Sequence, residues 1–475
     1  MIYNSFNFIV LFPIIFLGYY MIPGRFHRVR NLYLLLVSYL IYLNWIPAYA
    51  LILLGVTLVT YAGAYIIEKK KISTGGGKIL FVASLIFAIL PLLIFKYYNF
   101  LNATIRDGLA TIGMDWQLQG LNWAIPLGIS FFTFQAVGYM ADVYENRVKA
   151  EKNFIDYALF ISFFPSIVSG PINKASLLLP QIKEERHYFD YQKAVAGLKM
   201  LLWGMFMKVV VADRVALYVD TVLPHYENYT GVTCFLASIF YSIQIYADFA
   251  GYSLMALGVG KTLGFDLTEN FRRPYFSQSI TEFWRRWHIS LSTWLKDYIY
   301  IPLGGSRCSK LRNYWNIFVT FLVSGIWHGA NWTFIAWGVM HGICQIVEKA
   351  LGLQKGAEKS GLRAIRIGIT FLVANFAWIF FRMPTLSEGL GVITRIFDWT
   401  LPKGIFVGSM TDMAFIAMGI LILFIKDYTD EFMPGRFLAL DNSSRIIRWC
   451  SYIVIMSLIL LTGVFSADQF IYANF

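Results

Sequence analysis

The sequence predicts an all-α, polytopic membrane protein, because it combines long apolar runs, few charges, and basic residues confined to short loops. Of its 475 residues, 57% are hydrophobic, 18% aromatic and 14% charged, whereas soluble domains carry about 25% charged residues. The apolar runs approach the ~20 residues that a helix needs to cross a bilayer. We therefore expect one integral-membrane domain over residues 1–475, without a separate soluble domain and with roughly 11–12 transmembrane helices.

The candidate spans follow one another along the whole chain when hydropathy is averaged over a membrane-length window. A shorter run, Ile155–Pro171, is interrupted by proline and glycine, which predicts a re-entrant segment. The first run lacks a basic leader and a small-residue cleavage site, so we expect it to be retained. The spans are expected to begin near Asn7, Asn31, Ala48, Ile79, Leu121, Val195, Val232, Asn313, Trp332, Ile367, Met413 and Ile446.

The formal net charge is +12, which in a soluble protein would suggest nucleic acid as a partner. Here the basic residues lie in short loops between apolar runs, and such loops face the cytoplasm under the positive-inside rule. We expect the clusters at Arg25–Arg30, Lys69–Lys78 and Lys349–Arg366 to be cytoplasmic. The segment Leu223–Gly231 has no Lys or Arg and is expected outside. The predicted surroundings are therefore the lipid bilayer and not nucleic acid.

The sequence offers no pattern for metal, disulfide or nucleotide chemistry. Its cysteines are far apart and none belongs to a CxxC or Cys/His spacing, so we expect no metal site and no disulfide framework. Phosphate-binding patterns such as GxxxxGK[ST] are also missing, and we expect no tightly bound cofactor. The four cysteines are Cys234, Cys308, Cys344 and Cys450.

The segment Phe321–Gly342, FLVSGIWHGANWTFIAWGVMHG, places His328 in an otherwise apolar, Trp-rich run. An ionisable side chain is costly at membrane depth and is usually functional there. A histidine in that setting is suited to act as a general base near neutral pH, and burial would keep its imidazole neutral. The alternative is a packed histidine whose ring nitrogens bond to neighbouring helices.

A second group of polar residues lies in YSIQIYADFAGYS, residues 241–253. Gln244, Asp248 and Tyr252 are spaced i, i+4 and i+8, so they share one helix face. A carboxylate on such a face needs a partner or water. These side chains either line a substrate tunnel or form a buried polar strip that holds helices together.

A third pattern predicts a helix that begins after Ser279, with Glu282 in capping-box spacing. An apolar stripe and a basic stripe along it suit a helix at the cytoplasmic membrane interface. The apolar stripe comprises Trp284, His288, Leu291 and Leu295, and the other stripe comprises Arg285, Ser292 and Lys296.

Basic residues in and before this helix have two possible uses. They either attract an anionic, phosphate-bearing donor or anchor the helix to lipid headgroups. The residues concerned are Arg272, Arg273, Arg285, Arg286 and Lys296.

Two segments interrupt apolar runs with turn residues: Phe163–Asn173, FFPSIVSGPIN, and Pro302–Gly305, PLGG. Irregular backbone at membrane depth is tolerated where protein or a water-filled cavity surrounds it. Together with His288 and His328, these segments predict a cavity or tunnel inside the bundle.

Several of these motifs, in this order, resemble the membrane-bound O-acyltransferase (MBOAT) superfamily, and most of all its bacterial branch typified by the membrane subunit of alginate O-acetylation. The resemblance covers nearly the whole chain. The motifs are FFPSIVSGPI at Phe163–Ile172, QIYADFAGYS at Gln244–Ser253, NFRRPYF at Asn270–Phe276, FWRRWHISLSTWLKDYIYIPLGGSR at Phe283–Arg307, and SGIWHGANWTFIAWG at Ser324–Gly338.

The resemblance implies a helical bundle of the bacterial cytoplasmic (inner) membrane, in which a central funnel from one side meets a tunnel from the other. It matches the family's near-invariant histidine to His328 and a second histidine of the bacterial members to His288. It implies acyl transfer from a cytoplasmic thioester to a hydroxyl reached from outside. Two positions depart from the pattern: Leu254 stands where many relatives have Asp, and the ending FIYANF only approximates that of the branch.

On this basis we expect an O-acetyltransferase that uses acetyl-CoA and modifies an envelope or secreted polysaccharide through a periplasmic or extracellular partner protein. His328 would remove the proton of the acceptor hydroxyl, and His288 would polarise the thioester carbonyl or bind the donor. Asn331 or backbone amides are candidate donors to the oxyanion. The expected substrate or tunnel residues are Gln244, Asp248, Tyr252, Trp284, Trp287, Trp327, Asn331 and Trp332.

Two alternatives stay open on the sequence alone. A D-alanyl transferase for teichoic acid would use the thioester of a carrier protein, although Asn331 and Trp332 in HGANWTF favour the acetylating branch. A non-catalytic exporter, or a scaffold of a polysaccharide-synthesis complex, would not need His328 or His288.

Overall fold

The computed structural model describes residues 3, 5–69, 75–168, 170–185, 189–354, 356–357, 360–398, 407–435, 439–465 and 471. Every regular element within these residues is a helix, which confirms the predicted all-α class. The α-helices of the N-terminal half are α1 (Phe6–Met21), α2 (His27–Leu43), α3 (Tyr49–Lys69), α4 (Gly75–Leu92), α5 (Tyr98–Ala110), α6 (Ile129–Tyr144), α7 (Phe154–Ser162), α8 (Phe164–Ile167), α9 (Ala175–Lys183), α10 (Tyr191–Met205) and α11 (Asp213–Val222).

The C-terminal half carries both histidines of interest. Its helices are α12 (Gly231–Thr262), α13 (Ile280–Arg286), α14 (Ile289–Leu295), α15 (Lys310–His328), α16 (Trp332–Ala350), α17 (Ser360–Arg382), α18 (Leu386–Ile396), α19 (Met410–Phe432) and α20 (Arg445–Thr462). Short 3₁₀ turns occur at Gly24–Phe26, Leu223–Asn228 and Pro274–Phe276.

Six helical stretches in the described part of the chain are long and apolar enough to cross a membrane. A further pair, Asn7–Met21 with Gly24–Leu43, passes the same criteria jointly but is bent by 103°. By length and composition, the described residues therefore offer six candidate spans, or up to seven if the bent pair is one span, beside the expected roughly 11–12. The six stretches are Tyr49–Lys69, Gly77–Ala110, Tyr191–Asn228, Gly231–Thr262, Ser360–Arg382 and Arg445–Thr462.

The expected spans that do not qualify fail for physical reasons. The pair α7 and α8 is a short apolar segment, Phe154–Ile167. Helix α19 carries charged residues near both ends. Helices α15 and α16 contain polar and ionisable residues, several of them buried, because part of their surface packs against other helices. Contact with protein replaces contact with lipid there, so their hydropathy falls below that of a lipid-facing span.

Three π-helical segments, Leu93–Tyr97, Phe206–Ala212 and Lys296–Tyr300, interrupt longer helices, and each contains one lysine. Such segments are rare and frequently occur at functional sites. The first of them lies within the span Gly77–Ala110 and contacts the end of α15.

Close helix pairs form the centre of the bundle. A Cβ atom built on Gly204 of α10 would lie only 2.6 Å from the carbonyl oxygen of Gly251 in α12. The hairpin of α15 and α16 has a similar contact, since a Cβ on Gly325 would lie 2.4 Å from the carbonyl oxygen of Phe334. Small residues allow such close approach of helix backbones in membranes. This hairpin carries His328.

The predicted interruption around Phe163 is present. Phe163 separates α7 from α8, and irregular backbone continues through buried Pro171 and Asn173, whereas Ser169 lies outside the described residues. The amide group of Asn173 donates to the carbonyl of Pro171 at 3.1 Å, and its backbone N–H donates to Gln135 Oε1 at 3.1 Å. This irregular backbone is surrounded by protein, as expected. The PLGG segment forms turns.

The single helix predicted after Ser279 is in fact two helices. Ser279 caps α13 as predicted, its hydroxyl accepting from the backbone N–H of Glu282 at 3.0 Å. The chain then breaks at His288, where φ is +42°, so that α13 ends at Arg286 and α14 begins at Ile289. The prediction of continuous stripes along one helix is therefore wrong, and His288 occupies a kink.

Candidate active site

The structure brings His288 and His328 together in the interior of the bundle. Their ring centroids lie 6.4 Å apart, and the residues are 0% and 2% exposed. Aromatic side chains surround both rings, so the space between them is largely shielded from water. Two imidazoles at this separation can act on one reacting centre, one accepting a proton and the other donating to an oxyanion.

His288 is held at the backbone kink between α13 and α14. Its left-handed conformation costs a residue other than glycine about 1–3 kcal/mol. Asn270, from the NFRRPYF motif, fixes the kink: its carbonyl accepts from Ile289 N at 2.9 Å and its Oδ1 from Ser290 N at 3.2 Å. The side-chain amide of Asn270 donates to Ser253 Oγ at 3.1 Å. Asn270 was missed as a positioning residue, although it opens a motif that the sequence displays.

His328 is the last residue of α15, and aromatic rings enclose its imidazole. The ring centroids of Trp327 and Trp337 lie 4.8 Å from that of His328, and the ring of Phe381 lies 5.2 Å away. Immediately after His328 the chain turns into α16. The α15–α16 turn therefore fixes His328 among side chains from three helices.

Two neighbouring side chains of another helix bind the end of α15. Tyr97 donates its hydroxyl to the carbonyl of Ile326 at 2.7 Å, and Lys96 Nζ donates to the carbonyl of Trp327 at 2.6 Å. Both residues belong to the π segment Leu93–Tyr97. Lys96 was not among the predicted site residues, although a lysine inside an apolar span is a sequence signal for function.

A cavity of about 580 Å³ lies among α13, α14, α15 and α16, and we call it the basic cavity. Its volume falls in the range of about 300–1,000 Å³ that is usual for small-molecule sites. Arg285, Lys296 and Lys349 line it, together with the aromatic rings of Trp284 and Phe321. The basic cavity can therefore hold a molecule that is anionic at one end and apolar at the other.

An aromatic layer separates the basic cavity from His328. Trp284 lines the cavity and donates its indole N–H to His341 Nδ1 at 3.3 Å. The ring of Trp337 lies 5.5 Å from Trp284 and 4.8 Å from His328. Phe321 of the cavity and His328 lie on the same helix, seven residues apart, which corresponds to about 10 Å along the axis.

The two ends of the α15–α16 hairpin show which side of the bundle His328 and the basic cavity each lie toward. Asn331 donates its amide to the carbonyl of Pro384 at 2.8 Å, just after the end of α17. At that end Arg382 pairs with Asp220 at 2.9 Å, next to the predicted outer segment Leu223–Gly231. His328 thus lies toward the predicted outer side. The basic cavity lies toward the opposite end of α15, which is the predicted cytoplasmic side.

The five basic residues predicted to bind the donor fall into two groups in the structure. Arg272, Arg273 and Arg286 are paired with glutamates at distances of 2.5–2.8 Å. None of the three lines the basic cavity. Arg285 and Lys296 do line it, so only these two members of the set are placed to meet a donor in this cavity.

The polar face of α12 is buried, as expected if Gln244, Asp248 and Tyr252 form a polar strip that holds helices together. Asp248 Oδ1 lies 2.6 Å from Lys208 Nζ, which lies 2.6 Å from Asp213 Oδ1. These side chains are 1–2% exposed, and Gln244 and Tyr252 are also buried. Since Asp248 is engaged in an ion triad that joins α12 to the π segment Phe206–Ala212, its geometry favours helix attachment over a tunnel lining.

The predicted tryptophans and Asn331 have different surroundings. Trp327 lies at the site, with its ring 5.8 Å from that of His288. Trp287 is in the core behind the kink, 4.9 Å from Trp378. Trp332 is 51% exposed and therefore lies on the surface. Asn331 caps α16 through its Oδ1 and donates its amide to Pro384, so both ends of its side chain are occupied.

The described residues contain no group of three or more His, Cys, Asp or Glu side chains that is arranged to hold a metal ion. The four cysteines are free thiols, with Cys234 buried and Cys308 and Cys450 exposed.

Comparison with known proteins connects this site to an enzyme family. A family model for the membrane-bound O-acyltransferases, MBOAT, matches residues 149–387. The chain is 38% identical over 398 residues to the probable alginate O-acetylase AlgI of Pseudomonas aeruginosa, covering 84% of this chain and 74% of the relative. It is 34% identical over 424 residues to the peptidoglycan O-acetyltransferase of Helicobacter pylori, covering 83% and 79%.

A more distant relative is named for the transfer of a different group, D-alanine. The chain is 27% identical over 356 residues to the teichoic acid D-alanyltransferase of Bacillus subtilis, covering 72% of this chain and 86% of the relative. The matched segment 149–387 contains both histidines and the basic cavity's arginine. The chain therefore belongs to the membrane-bound O-acyltransferase family and is a multi-pass membrane O-acyltransferase.

Proposed function

We propose that this enzyme moves an acetyl group from cytoplasmic acetyl-CoA across the membrane toward a hydroxyl of an envelope or secreted polysaccharide, through a periplasmic or extracellular partner protein. The observation that carries the proposal is the position of the buried His288–His328 pair toward one side of the bundle, with the basic cavity opening on the other. A donor and an acceptor that approach from opposite sides would meet at the histidines. We place the enzyme in the bacterial cytoplasmic membrane.

The basic cavity suits the nucleotide end of acetyl-CoA, which is a substrate and not a resident cofactor. Arg285, Lys296 and Lys349 can bind its phosphates, since guanidinium and ammonium groups are the usual partners of phosphate. The apolar wall at Trp284 and Phe321 would then lie along the arm that ends in the thioester. The acetyl group has to pass Trp284 and Trp337 to reach His328, so a movement of this layer belongs to the proposal.

In the proposed reaction, the acceptor hydroxyl gives its proton to the imidazole of His328 as its oxygen bonds to the thioester carbonyl carbon. The tetrahedral intermediate collapses with cleavage of the carbon–sulfur bond, and the CoA thiolate takes the proton from His328 as it leaves. A general base of this kind contributes about 10²–10⁴-fold. His288 donates a hydrogen bond to the carbonyl oxygen and stabilises the oxyanion. We prefer it to Asn331, because the Asn331 side chain is already occupied.

The names of relatives support acetyl transfer to a polysaccharide. The two relatives quoted above with at least 34% identity are named for O-acetylation of alginate and of peptidoglycan. The described residues contain no folded unit outside the helical bundle that would hold a glycan. We therefore propose a periplasmic or extracellular partner protein that takes the acetyl group and passes it on.

The test uses purified enzyme in nanodiscs, acetyl-CoA labelled in its acetyl group, and a soluble hydroxyl acceptor. We expect acetyl transfer by the wild type and a loss of about 10²–10⁴-fold for His328→Ala. His225→Ala is the matched control, because His225 is an exposed histidine in the Leu223–Asn228 turn, and it should keep the wild-type rate. Equal activity of His328→Ala and wild type would refute the assigned base.

A parallel reaction with a D-alanyl carrier-protein thioester distinguishes the two donors. Exclusive use of that thioester would replace acetyl transfer by D-alanyl transfer, as in the B. subtilis relative's name. Consumption of neither thioester, even with a candidate partner protein added, would overturn the proposed donor and reopen the exporter and scaffold alternatives.

A further inference from the structure

Lys96 is a buried lysine within the membrane-spanning stretch Gly77–Ala110. It is 7% exposed, and its ammonium group contacts the carbonyl of Trp327 at 2.6 Å, the hydroxyl of Ser130 at 3.3 Å and the ring face of Trp327 at 5.7 Å. No carboxylate of the described residues forms an ion pair with it. An ionisable side chain kept at membrane depth without a carboxylate partner is costly and usually serves a function.

The carbonyl that Lys96 binds belongs to the last turn of α15, immediately before His328. The last four carbonyls of a helix lack partners within the helix, and a positive charge near them is favourable. Tyr97 binds the preceding carbonyl, that of Ile326, at 2.7 Å. Two successive side chains thus bind two successive carbonyls of the turn that ends in His328.

The π segment Leu93–Tyr97 lies where the span contacts the end of α15, and both residues that bind α15 belong to it. Within the described span Gly77–Ala110, π geometry occurs at this contact alone. Because π segments are rare and frequently occur at functional sites, this placement supports a role for Lys96 and Tyr97 at the end of α15.

We propose that Lys96 is a positioning residue for His328. It fixes the last turn of α15, with the help of Tyr97, so that the imidazole faces His288 and the reacting groups. The proposal rests on the proposed acetyl transfer and adds a residue outside the segment 149–387 matched by the family model. A displacement of about 1 Å at a catalytic group can lower the rate about 10²-fold.

The first test measures positioning without any substrate. Lys96→Met keeps the length of the side chain but removes its N–H donors, and Lys78→Met, at an exposed position of the same helix, is the matched control. Hydrogen exchange of the enzyme in nanodiscs should become faster in residues 321–331 for Lys96→Met only. Unchanged exchange in this segment would overturn the proposal. This readout stands even if acetyl-CoA proves not to be the donor.

The second test is a double-mutant cycle on acetyl transfer. Lys96→Met should lower kcat about 10²-fold and leave the KM for acetyl-CoA unchanged. In the His328→Ala background it should cause no further loss, because residues that act through one another are not additive. An equal proportional loss in both backgrounds would show a general structural effect and would overturn the proposal.

A milder pair of variants decides the question if Lys96→Met does not insert into the membrane. Lys96→Arg keeps a cationic donor and should restore most of kcat, whereas Tyr97→Phe removes the neighbouring hydrogen bond and should lower kcat about fivefold, as expected for about 1 kcal/mol. Wild-type kcat in Tyr97→Phe together with loss of activity in a folded Lys96→Arg would contradict the proposed role.

Discussion

At the scale of single residues, the position of His288 imposes two requirements, one on the side chain and one on the backbone. Its imidazole faces His328, and its backbone has φ of +42°. Glycine adopts this conformation without strain, whereas for a β-branched residue it is a genuine outlier. The identity of residue 288 is therefore constrained by the kink as well as by the reaction, and the two constraints can be separated by mutation.

We expect His288→Gly to be more stable than His288→Val, although glycine leaves the larger void. The reason is the strain of a non-glycine residue in this region, about 1–3 kcal/mol, which is greatest for valine. Thermal unfolding in detergent gives the order of stability. Both variants should lose acetyl transfer, since both lack the imidazole. A valine variant at least as stable as the glycine variant would show that the kink does not impose this constraint.

The charge at Arg285 provides a test of the basic cavity. Arg285→Gln should raise the KM for acetyl-CoA about tenfold or more, because a hydrogen bond to a charged group is worth about 1.5–3 kcal/mol. Steady-state kinetics with acetyl-CoA and with acetyl-pantetheine, which lacks the nucleotide phosphates, form the measurement. The effect should disappear with acetyl-pantetheine.

Arg272→Gln is the control for this experiment. Arg272 is 61% exposed and pairs with Glu269 outside the cavity, and exposed ion pairs are worth only about 0–1 kcal/mol. Its KM for acetyl-CoA should stay at the wild-type value. An equal rise in KM for both donors in Arg285→Gln would mean that Arg285 does not bind the phosphates.

At the scale of elements, the α15–α16 hairpin determines where His328 lies. The two helices touch through Gly325 and Gly338, and a Cβ on Gly338 would lie 2.5 Å from the carbonyl oxygen of Phe321. No side chain can move aside to relieve a contact with a backbone carbonyl. The hairpin must therefore open to admit even one methyl group, and His328, three residues after Gly325, would move with it.

Gly325→Ala should accordingly lower both stability and kcat. Inserting an extra carbon into a closely packed contact costs about 1–3 kcal/mol. Gly55→Ala is the control, because Gly55 lies in α3 with nothing within 4 Å of the added Cβ, and alanine should there be neutral or slightly stabilising. Unfolding temperature and kcat are measured on both variants. A Gly325→Ala enzyme with wild-type values would show that the hairpin tolerates a wider separation.

The same elements show how far the sequence determines the site. The cap at Ser279 and the interruption at Phe163 follow from local chemistry, and both are present as predicted. The kink at His288 does not follow from local chemistry. Its strained backbone is held by hydrogen bonds to Asn270, which precedes the helix pair in the chain. A lysine inside an apolar span makes Lys96 a functional candidate in the sequence, but its contact with the end of α15 appears only in the fold.

At the scale of the whole molecule, hydropathy alone does not distinguish lipid from protein as the apolar surroundings of a helix. Helix α12 illustrates this, since 72% of its most apolar window is buried inside the bundle. Asp248 lies on that helix with Lys208 and Asp213 as its partners. Asp248, for which the sequence leaves a tunnel lining and a contact between helices open, thus joins α12 to the π segment Phe206–Ala212 in the fold.

The two sides of the molecule give the last prediction. The described span α17 begins at Ser360, within the predicted cytoplasmic cluster Lys349–Arg366, and ends at Arg382, which pairs with Asp220 beside the turn Leu223–Asn228. Residues 227 and 351 are exposed, and the span places them on opposite sides of the membrane. The positive-inside rule assigns Leu351 to the cytoplasm and Glu227 to the outside. We therefore expect an impermeant maleimide to label Glu227→Cys in intact cells.

Leu351→Cys should be labelled only after the membrane is made permeable, with both variants placed in a background in which the four native cysteines are replaced by alanine. Acetyl transfer by that background serves as the control for folding. Labelling of both cysteines from one side would contradict the span. Labelling with the sides exchanged would keep the span but place the basic cavity outside, where cytoplasmic acetyl-CoA does not reach it. The sidedness of these two residues therefore tests the direction of acetyl movement across the whole molecule.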